Sequence, residues 1–223
     1  MMLFAFAGAA QDQLKLERAY KVGEQDTYAM KMVATMGQMG EVTIQFKTSQ
    51  KVVKTYDDGS ADIESTTSDM KIVFGGQEMP SPDQAPPVVK QKFDKYGNPV
   101  GKAEGGNPMM EQMNFSRFAS VFGKDGLVVG KDIPIDVKNE KTKKQEVLGT
   151  AKLDSVKDGV ATLLSDLKVW TEEAEKPMKI KMTTTVDTTS AKVNSVKGTV
   201  TELPDQQGMT IDKVDFEMTR EKK

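Results

Sequence analysis

The chain has 223 residues, with 31 basic and 33 acidic side chains and a net charge of −2. This balance creates no long-range field for phosphate or anionic lipid, and it argues against a nucleic-acid-binding protein. The sequence contains neither cysteine nor histidine, which excludes disulfides, thiolate nucleophiles, cysteine–zinc sites and a histidine general base. The length fits a single all-β domain or two smaller domains.

An apolar run, Met1 to Ala10, opens the sequence and ends in small residues before the polar Gln11. This pattern is typical of the second half of a secretory signal peptide. A basic segment is missing before the run, which is also far shorter than the roughly 20 residues of a membrane span. We interpret residues 1–10 as a truncated signal peptide and expect an extracytoplasmic protein, periplasmic or secreted, that is not transmembrane. The alternative is a buried first strand of a cytoplasmic protein.

Alternating apolar residues predict β-strands through most of the remaining sequence. One such stretch places five apolar side chains on one face: Tyr28, Met30, Met32, Ala34 and Met36. The next stretch does the same with Val42, Ile44 and Phe46. Gly37 and Gly40 predict a hairpin connection between these strands, and Asp58-Gly59 predicts the following turn.

The second half of the sequence repeats landmarks of the first half in the same order. The pairs are Gly23 with Gly130, Asp58 with Asp158, Asp69 with Asp166, and Asp94 with Asp187. The separation between partners shrinks steadily along the chain, as expected for a duplicated module whose second copy has shorter loops, because loop length costs little free energy. We therefore predict two tandem halves of similar topology, although Asp-Gly turns alone recur in many β proteins.

Two segments interrupt the strand pattern. Gly75 to Val89 contains four prolines and predicts a long surface loop, because proline lacks a backbone donor. Asn107 to Phe122 predicts a helix, with Pro108 in the first turn and Gly123 after the last. Its two opposite faces are both apolar, one with Phe115, Phe118 and Phe122, the other with Met109, Met110 and Met113. Such a helix is either covered on both sides or presents one side to another molecule.

These motifs resemble those of a family of secreted, β-rich bacterial proteins that carries no established activity. The shared phrases are Val22 to Glu24 before a strand, the turn from Asp58 to Ala61, the hairpin from Asp94 to Gly97, and the stretch from Phe122 to Asp132. The resemblance covers most of residues 14–220 and implies a secreted β protein. A more distant likeness, in architecture alone, is to curved-sheet envelope proteins that shelter lipid chains.

The sequence contains no recognisable catalytic motif. Composition excludes serine–histidine and cysteine–histidine arrangements, and neither a G-x-x-x-x-G-K phosphate loop nor a D-x-D-x-D-G calcium loop is present. The acidic cluster of Glu172, Glu173 and Glu175 is typical of a solvated loop. Catalysis by carboxylates or by a serine–lysine pair stays open, but we predict a protein that is not an enzyme and has no cofactor.

Methionine is unusually frequent, with 15 residues in several clusters. Three interpretations compete. Methionine can fill irregular gaps in a core, or provide an adaptable apolar surface for a lipid-like or peptide ligand. Its thioethers can also bind Cu(I), although histidine or cysteine normally accompanies such a site.

We therefore expect a mainly β protein, an antiparallel curved sheet or half-barrel built from two tandem similar halves with one connecting helix. The predicted boundaries are 1–10 for the truncated signal peptide, 11–106 for the first β half, 107–123 for the helix and 124–223 for the second β half. The expected function is non-catalytic binding of an apolar or amphiphilic ligand in the concavity of the sheet. The predicted ligand-lining residues are Tyr28, Met30, Met32, Met36, Met109, Met110 and Met113.

Two alternatives remain beside this function. The first is a structural or protein-interaction module of the cell envelope without a small ligand, and the second, least favoured, is Cu(I) binding by methionine. The expected partner is accordingly a lipid-like ligand or an envelope protein. A cavity lined by methionine and aromatic side chains would favour the ligand, whereas a filled core would favour the envelope module.

Overall fold

A computed structural model describes residues 13–37, 40–80, 86–105, 126–138, 142–170, 176–204 and 210–222. The predicted signal peptide (1–10) and connecting helix (107–123) lie outside these ranges, and so do Met109, Met110 and Met113.

The described chain forms a single antiparallel sheet of twelve strands. The strands are β1 (Gln25–Met36), β2 (Gly40–Thr55), β3 (Ala61–Phe74), β4 (Gln77–Met79), β5 (Val89–Phe93), β6 (Pro99–Glu104), β7 (Asp132–Lys138), β8 (Gln145–Lys157), β9 (Val160–Val169), β10 (Met178–Asp187), β11 (Val193–Thr201) and β12 (Lys213–Arg220). Their order in the sheet is β6-β5-β3-β2-β1-β12-β11-β10-β9-β8-β7, and β4 pairs with β3 beside this path. The predicted mainly β, antiparallel fold is confirmed.

Most neighbouring strands are also consecutive in the chain, as in a meander. One exception is the pair of β3 with β5, which passes over the short β4. The other is the pair of β1 with β12, in which Tyr28 lies opposite Arg220 and Thr35 opposite Lys213. This pair joins the first strand to the last strand and makes the sheet continuous from β6 to β7.

The predicted faces of β1 and β2 are confirmed. Met32 lies directly opposite Ile44, and directly opposite residues of an antiparallel pair project from the same face. Gly37 and Gly40 flank the connection between these strands, as the sequence predicts.

Asp-Gly turns connect β2 to β3 and β8 to β9. In the first turn, the Tyr56 amide donates to the Ser60 carbonyl at 2.9 Å and the Gly59 amide donates to the Tyr56 carbonyl at 3.0 Å. Gly59 has a φ of +79°, and the second turn has positive φ at both Asp158 (+50°) and Gly159 (+75°). Because glycine adopts positive φ without steric cost, these turns explain the repeated Asp-Gly pair.

The long loop predicted for Gly75 to Val89 is wrong at both ends. Gly75 and Gly76 form a two-residue connection, after which β4 returns along β3 with Met79 opposite Ile72. At the other end, Val89 already belongs to β5 and lies opposite Ser65 of β3. The Gly-Gly pair therefore makes a tight hairpin where the sequence analysis expected the strand pairing to stop.

Asp69 of β3 and Asp166 of β9, which the sequence comparison paired, differ in local backbone pairing. Asp69 has a φ of +53°. It lies where the pairing of β2 and β3 shifts register, between the pair Gln45–Lys71 and the pair Lys47–Ser68. Asp166 is regularly paired with Thr150 and Lys181. A β-bulge adds an unpaired residue to one strand, which a comparison of sequence separations cannot detect.

The segment 13–20, called the strap below, reaches from one end of the sheet to the other. The Leu14 amide donates to the Leu127 carbonyl at 2.8 Å, the Leu127 amide donates back at 2.7 Å, and the Arg18 amide donates to the Lys95 carbonyl at 2.7 Å. Lys95 lies in the turn between β5 and β6, whereas Leu127 precedes β7. Leu14 and Arg18 are separated by at most about 14 Å of chain, so the two ends of the sheet approach each other. The sheet is open but strongly curved.

The main core lies on the face enclosed by this curvature, which is called the inner face below. Its fully buried members come mostly from β8 to β11, and the largest include Leu153, Leu167, Ile180, Val186, Val196 and Val200. Leu16 of the strap and Leu127 belong to the same core, with exposures of 2% and 1%. The strap therefore closes the core as well as joining the ends of the sheet.

Candidate functional site: the inner face and its charged rim

A continuous row of mostly apolar residues crosses the inner face from β4 to β10. Each member lies directly opposite the next on the neighbouring strand. In order, the row consists of Met79, Ile72, Ile44, Met32, Phe216, Gly198 and Met182. Paired residues of this kind pack against each other, so the row forms a connected apolar surface.

Exposure changes sharply along this surface. Met32, Phe216 and Met182 are 2%, 3% and 4% exposed, whereas Phe74 and Met79 at the other end are 39% and 46% exposed. Ile44 between them is partly buried against the main core. The inner face is therefore filled across β1 and β9 to β12, and it is open to solvent at the Phe74 end of β3 and at β4.

The ligand-lining residues predicted from β1 lie deeper than expected. Tyr28, Met30 and Met32 are 3%, 9% and 2% exposed and belong to the main core, while Met36 is half-buried. The structure brings these four residues together on one strand face. The other three predicted residues, Met109, Met110 and Met113, lie outside the described residues.

Phe74 and Met79 are not among the ligand-lining residues predicted from the sequence. They are called the open edge of the inner face below. Phe74 lies opposite Val42 and Met79 lies opposite Ile72. Met79 lies in the segment whose four prolines predict a loop. Treating Gly75-Gly76 as a two-residue hairpin turn would have aligned Met79 with the apolar face of β3.

Charged side chains occupy the opposite end of the inner face, where β1 begins. Arg18 of the strap lies 3.7 Å from both the Glu24 and the Asp26 carboxylates. The Lys192 ammonium lies 2.8 Å from the Asp26 carboxylate and also contacts Glu24. These four side chains, 13% to 20% exposed, are called the charged rim below. Their charges cancel, as expected for partly buried ions that must be paired.

Two tyrosines lie beside the charged rim. Burial raises the pKa of Tyr28 to about 12, and the neighbouring Asp26 carboxylate adds to that increase. Burial likewise raises the pKa of Tyr20 to about 12. The Tyr20 hydroxyl donates to the Asp94 carbonyl at 3.1 Å, and the Arg18 guanidinium lies 4.8 Å from the centre of the Tyr20 ring. Both phenols therefore stay neutral at ordinary pH.

The outer face carries shallow grooves of a different character. One, of about 400 Å³, includes Asp132, Lys152, Asp166, Lys181 and Lys197 in its lining. Charges of both signs alternate there, and the Lys181 ammonium lies 3.5 Å from the Asp166 carboxylate. Exposed pairs of this kind contribute little energy and present no field of one sign. We therefore locate the candidate site on the inner face.

One buried polar group on the inner face lacks a partner. Thr184 is 1% exposed, and its hydroxyl has no hydrogen-bond partner among the described residues. It lies opposite Val196 and Leu163 on the neighbouring strands. An unpaired buried hydroxyl of this kind usually destabilises a fold.

Acidic side chains do not assemble into a metal centre in the described part of the chain. No group of three or more Asp or Glu residues has a geometry that could hold a metal ion there. In the same ranges, no helix is long and apolar enough to cross a membrane.

Comparison with known proteins adds little to this description. No protein-family model matches the sequence, and no curated protein matches it. Among solved structures, DynF from the dynemicin biosynthesis pathway of Micromonospora chersina is similar at 8% sequence identity and a TM-score of 0.23, over 96% of this chain and 87% of that chain. A TM-score this low carries no argument about fold or function.

Proposed function

We propose that the protein binds an apolar or amphiphilic ligand, without catalysis, at the open edge of the inner face. The observation that carries this proposal is the change in exposure along one continuous apolar surface, from Met32 at 2% to Met79 at 46%. An exposed end of a core surface leaves apolar area in contact with water, and covering that area with an apolar chain is favourable at about 25 cal/mol per Å².

The residue types at the open edge suit a flexible ligand. Met79 has an unbranched, polarisable side chain that adapts to different shapes, and Phe74 offers a rigid aromatic surface. The ligand's apolar tail would lie over both side chains while its polar head stays in water. We assign the protein to an extracytoplasmic location, on the basis of its apolar leading residues and the resemblance to secreted β-rich proteins.

We further propose that the sheet consists of two tandem halves of similar topology. Strands β1-β2-β3-β5-β6 and β7-β8-β9-β10-β11 are neighbours in the same successive order. Before the first strand of each set, a glycine amide donates to the second strand, from Gly23 to the Val52 carbonyl at 2.9 Å and from Gly130 to the Leu153 carbonyl at 2.8 Å.

The turns that follow support the same proposal. Ala61 and Ala161 come after the Asp-Gly turns and lie opposite Phe93 and Val186 on the next main strand. An aspartate at the end of β10, and one directly after β5, caps the following turn. The Asp94 carboxylate accepts the Tyr96 and Asn98 amides, and the Asp187 carboxylate accepts the Thr189 and Ser190 amides.

A specific observation also favours the alternative, an envelope module that acts through protein contacts. Side chains fill the inner face from β9 to β12, where Leu167, Ile180 and Val200 have no exposed area. That part of the fold resembles an ordinary core and leaves no room for a ligand. The two functions therefore make different predictions only for the open edge: the first expects a ligand to bind there, and the second does not.

The experiment that tests the proposal uses the fluorescent fatty acid cis-parinaric acid. The double variant Phe74→Ser/Met79→Ser should weaken binding of the probe by about tenfold or more, since each lost apolar contact contributes about 1 kcal/mol or more. The matched control is Leu148→Ser/Leu164→Ser, because these side chains are similarly exposed, at 41% and 40%, but lie on the outer face. Equal binding by all three proteins would reject the open edge as the site, and no binding by the wild type would favour the envelope module.

A further inference from the structure

Within the described residues, the two ends of the curved sheet do not pair with each other directly. In the described part of the chain, β6 and β7 are the last strands of the sheet order. The strap bridges them, because Leu14 is paired with Leu127 near β7 and Arg18 is bonded to Lys95 beside β6. Gly130 ties the Leu127 segment to β8 through its bond to the Leu153 carbonyl. The curvature of the described sheet therefore depends on a connection that is not a strand pair.

The centre of the strap packs into the main core. Leu16 is 2% exposed and Leu127 is 1% exposed, and both pack into the main core with the partly buried Leu14 and Tyr96. Because Tyr96 belongs to the β5–β6 turn and Leu127 precedes β7, the strap brings side chains from both ends of the sheet into one core. Lifting the strap would expose this core on one side.

Few backbone bonds hold the strap compared with the long strands of the sheet, such as β1 and β2. Its described backbone bonds to the rest of the chain are those of the Leu14–Leu127 pair and the single bond from Arg18 to Lys95. The remaining attachment is made by side chains, chiefly Arg18 with Glu24 and Asp26 at 3.7 Å. Segments with few backbone bonds open at lower free energy than paired strands.

We propose that the strap is a releasable latch whose detachment parts the two ends of the sheet and uncovers the buried part of the inner face. The charged rim holds the closed state by pairing Arg18 with Asp26 of β1 and with Glu24 just before β1. This opening does not depend on the proposed function, because the open edge is exposed while the latch is closed. The latch is therefore testable without a ligand.

A reversible disulfide between the strap and the end of the sheet tests the latch by locking it closed. Leu14 and Leu127 exchange both backbone hydrogen bonds, and such pairs have Cα atoms about 5.5 Å apart, within the range that a disulfide spans. The natural chain has no cysteine, so oxidation of Leu14→Cys/Leu127→Cys affects these two positions alone. We expect the Arg18 amide, which donates to the Lys95 carbonyl, to exchange about tenfold more slowly in the oxidised protein than in the same protein reduced with dithiothreitol. Equal exchange rates before and after reduction would overturn the latch.

Hydrogen exchange tests the opening without any ligand. Arg18→Met should speed exchange at the Leu14 and Leu127 amides by about tenfold, because it removes the pairing with Glu24 and Asp26 while keeping an unbranched side chain. The matched control is Lys213→Met, which breaks an exposed pair with Asp215 at 2.8 Å, away from the strap. Unchanged exchange in Arg18→Met would overturn the proposal. If exchange rises but the wild type binds no probe, the latch stands and the proposed ligand function fails.

Discussion

Gly198 and Phe216 lie directly opposite each other on β11 and β12, and the Phe216 ring fills the space that a side chain on Gly198 would need. A Cβ atom added to Gly198 would lie 2.6 Å from the Phe216 Cζ and 2.6 Å from the Lys181 carbonyl oxygen. Both distances are well below van der Waals contact, so the filled part of the inner face depends on this glycine.

We expect Gly198→Ala to destabilise the fold by about 3 kcal/mol, because backbone as well as side chain must move to admit the new methyl group. Urea unfolding followed by circular dichroism measures the loss. The control is Lys197→Ala, an exposed neighbour for which a change within about 0.5 kcal/mol is expected. A Gly198→Ala midpoint equal to that of the wild type would contradict the packing described here.

The proposed tandem halves predict equal effects at two distant glycines. Gly23 and Gly130 have φ angles of +85° and +81°, and a Cβ at either position would meet nothing within 4 Å. Alanine at each position should therefore cost about 1 kcal/mol, from backbone strain alone. Chemical denaturation of the two single variants provides the measurement. Costs that differ by more than about 1 kcal/mol would argue against equivalent positions.

A substitution at Thr184 is expected to stabilise the fold. Valine has nearly the same shape as threonine and removes the hydroxyl that has no partner among the described residues. Thr184→Val should therefore raise the unfolding free energy by about 1 kcal/mol. Thermal unfolding of this variant is compared with that of Thr183→Val, whose side chain is exposed on the outer face. A destabilised Thr184→Val protein would mean that the hydroxyl has a partner in solution.

Tyr28 predicts how stability depends on alkaline pH. Its folded pKa is about 12 against an ordinary value of 10.0, so between those values the unfolded state binds fewer protons than the folded state. Stability is then fully present below pH 10 and falls as the pH rises toward 12, by on the order of 2 kcal/mol for this group.

The measurement is urea unfolding at several pH values between about 9 and 12, for the wild type and for Tyr28→Phe. The variant should show a shallower decline, with the remaining slope partly due to Tyr20, whose pKa burial also raises to about 12. Parallel declines in both proteins would show that Tyr28 ionises equally in the folded and unfolded states.

The local parts of this fold were predictable from the sequence. The apolar face of β1 and the Asp-Gly turns depend on period-two alternation and on positive φ, which neighbouring residues determine. The burial of Met30 and Met32 was not predictable in the same way, because alternation identifies the apolar face of a strand but not what covers it. That coverage depends on β12, which is close to β1 only in the folded chain.

The charged rim was missed for a related reason. Lys192 and Asp26 are 166 residues apart in the sequence, yet the Lys192 ammonium lies 2.8 Å from the nearer oxygen of the Asp26 carboxylate. Separately, each looks like an ordinary surface charge, and no local pattern links them. Met79 was missed because the prolines after it favoured a loop, whereas the Gly75-Gly76 turn had already returned the chain to the edge of β3.

Methyl NMR of the methionines tests the central claim, ligand binding at the open edge, most directly. The protein has 15 methionines, and ¹³C-methyl labelling makes each one a reporter, with Met79 assigned from the signal lost in Met79→Leu. On titration with sodium dodecanoate, we expect the Met79 signal to shift in a saturable way, while those of the buried Met32 and Met182 stay in place. Saturable binding that leaves Met79 unmoved, or no binding at all, would contradict the claim.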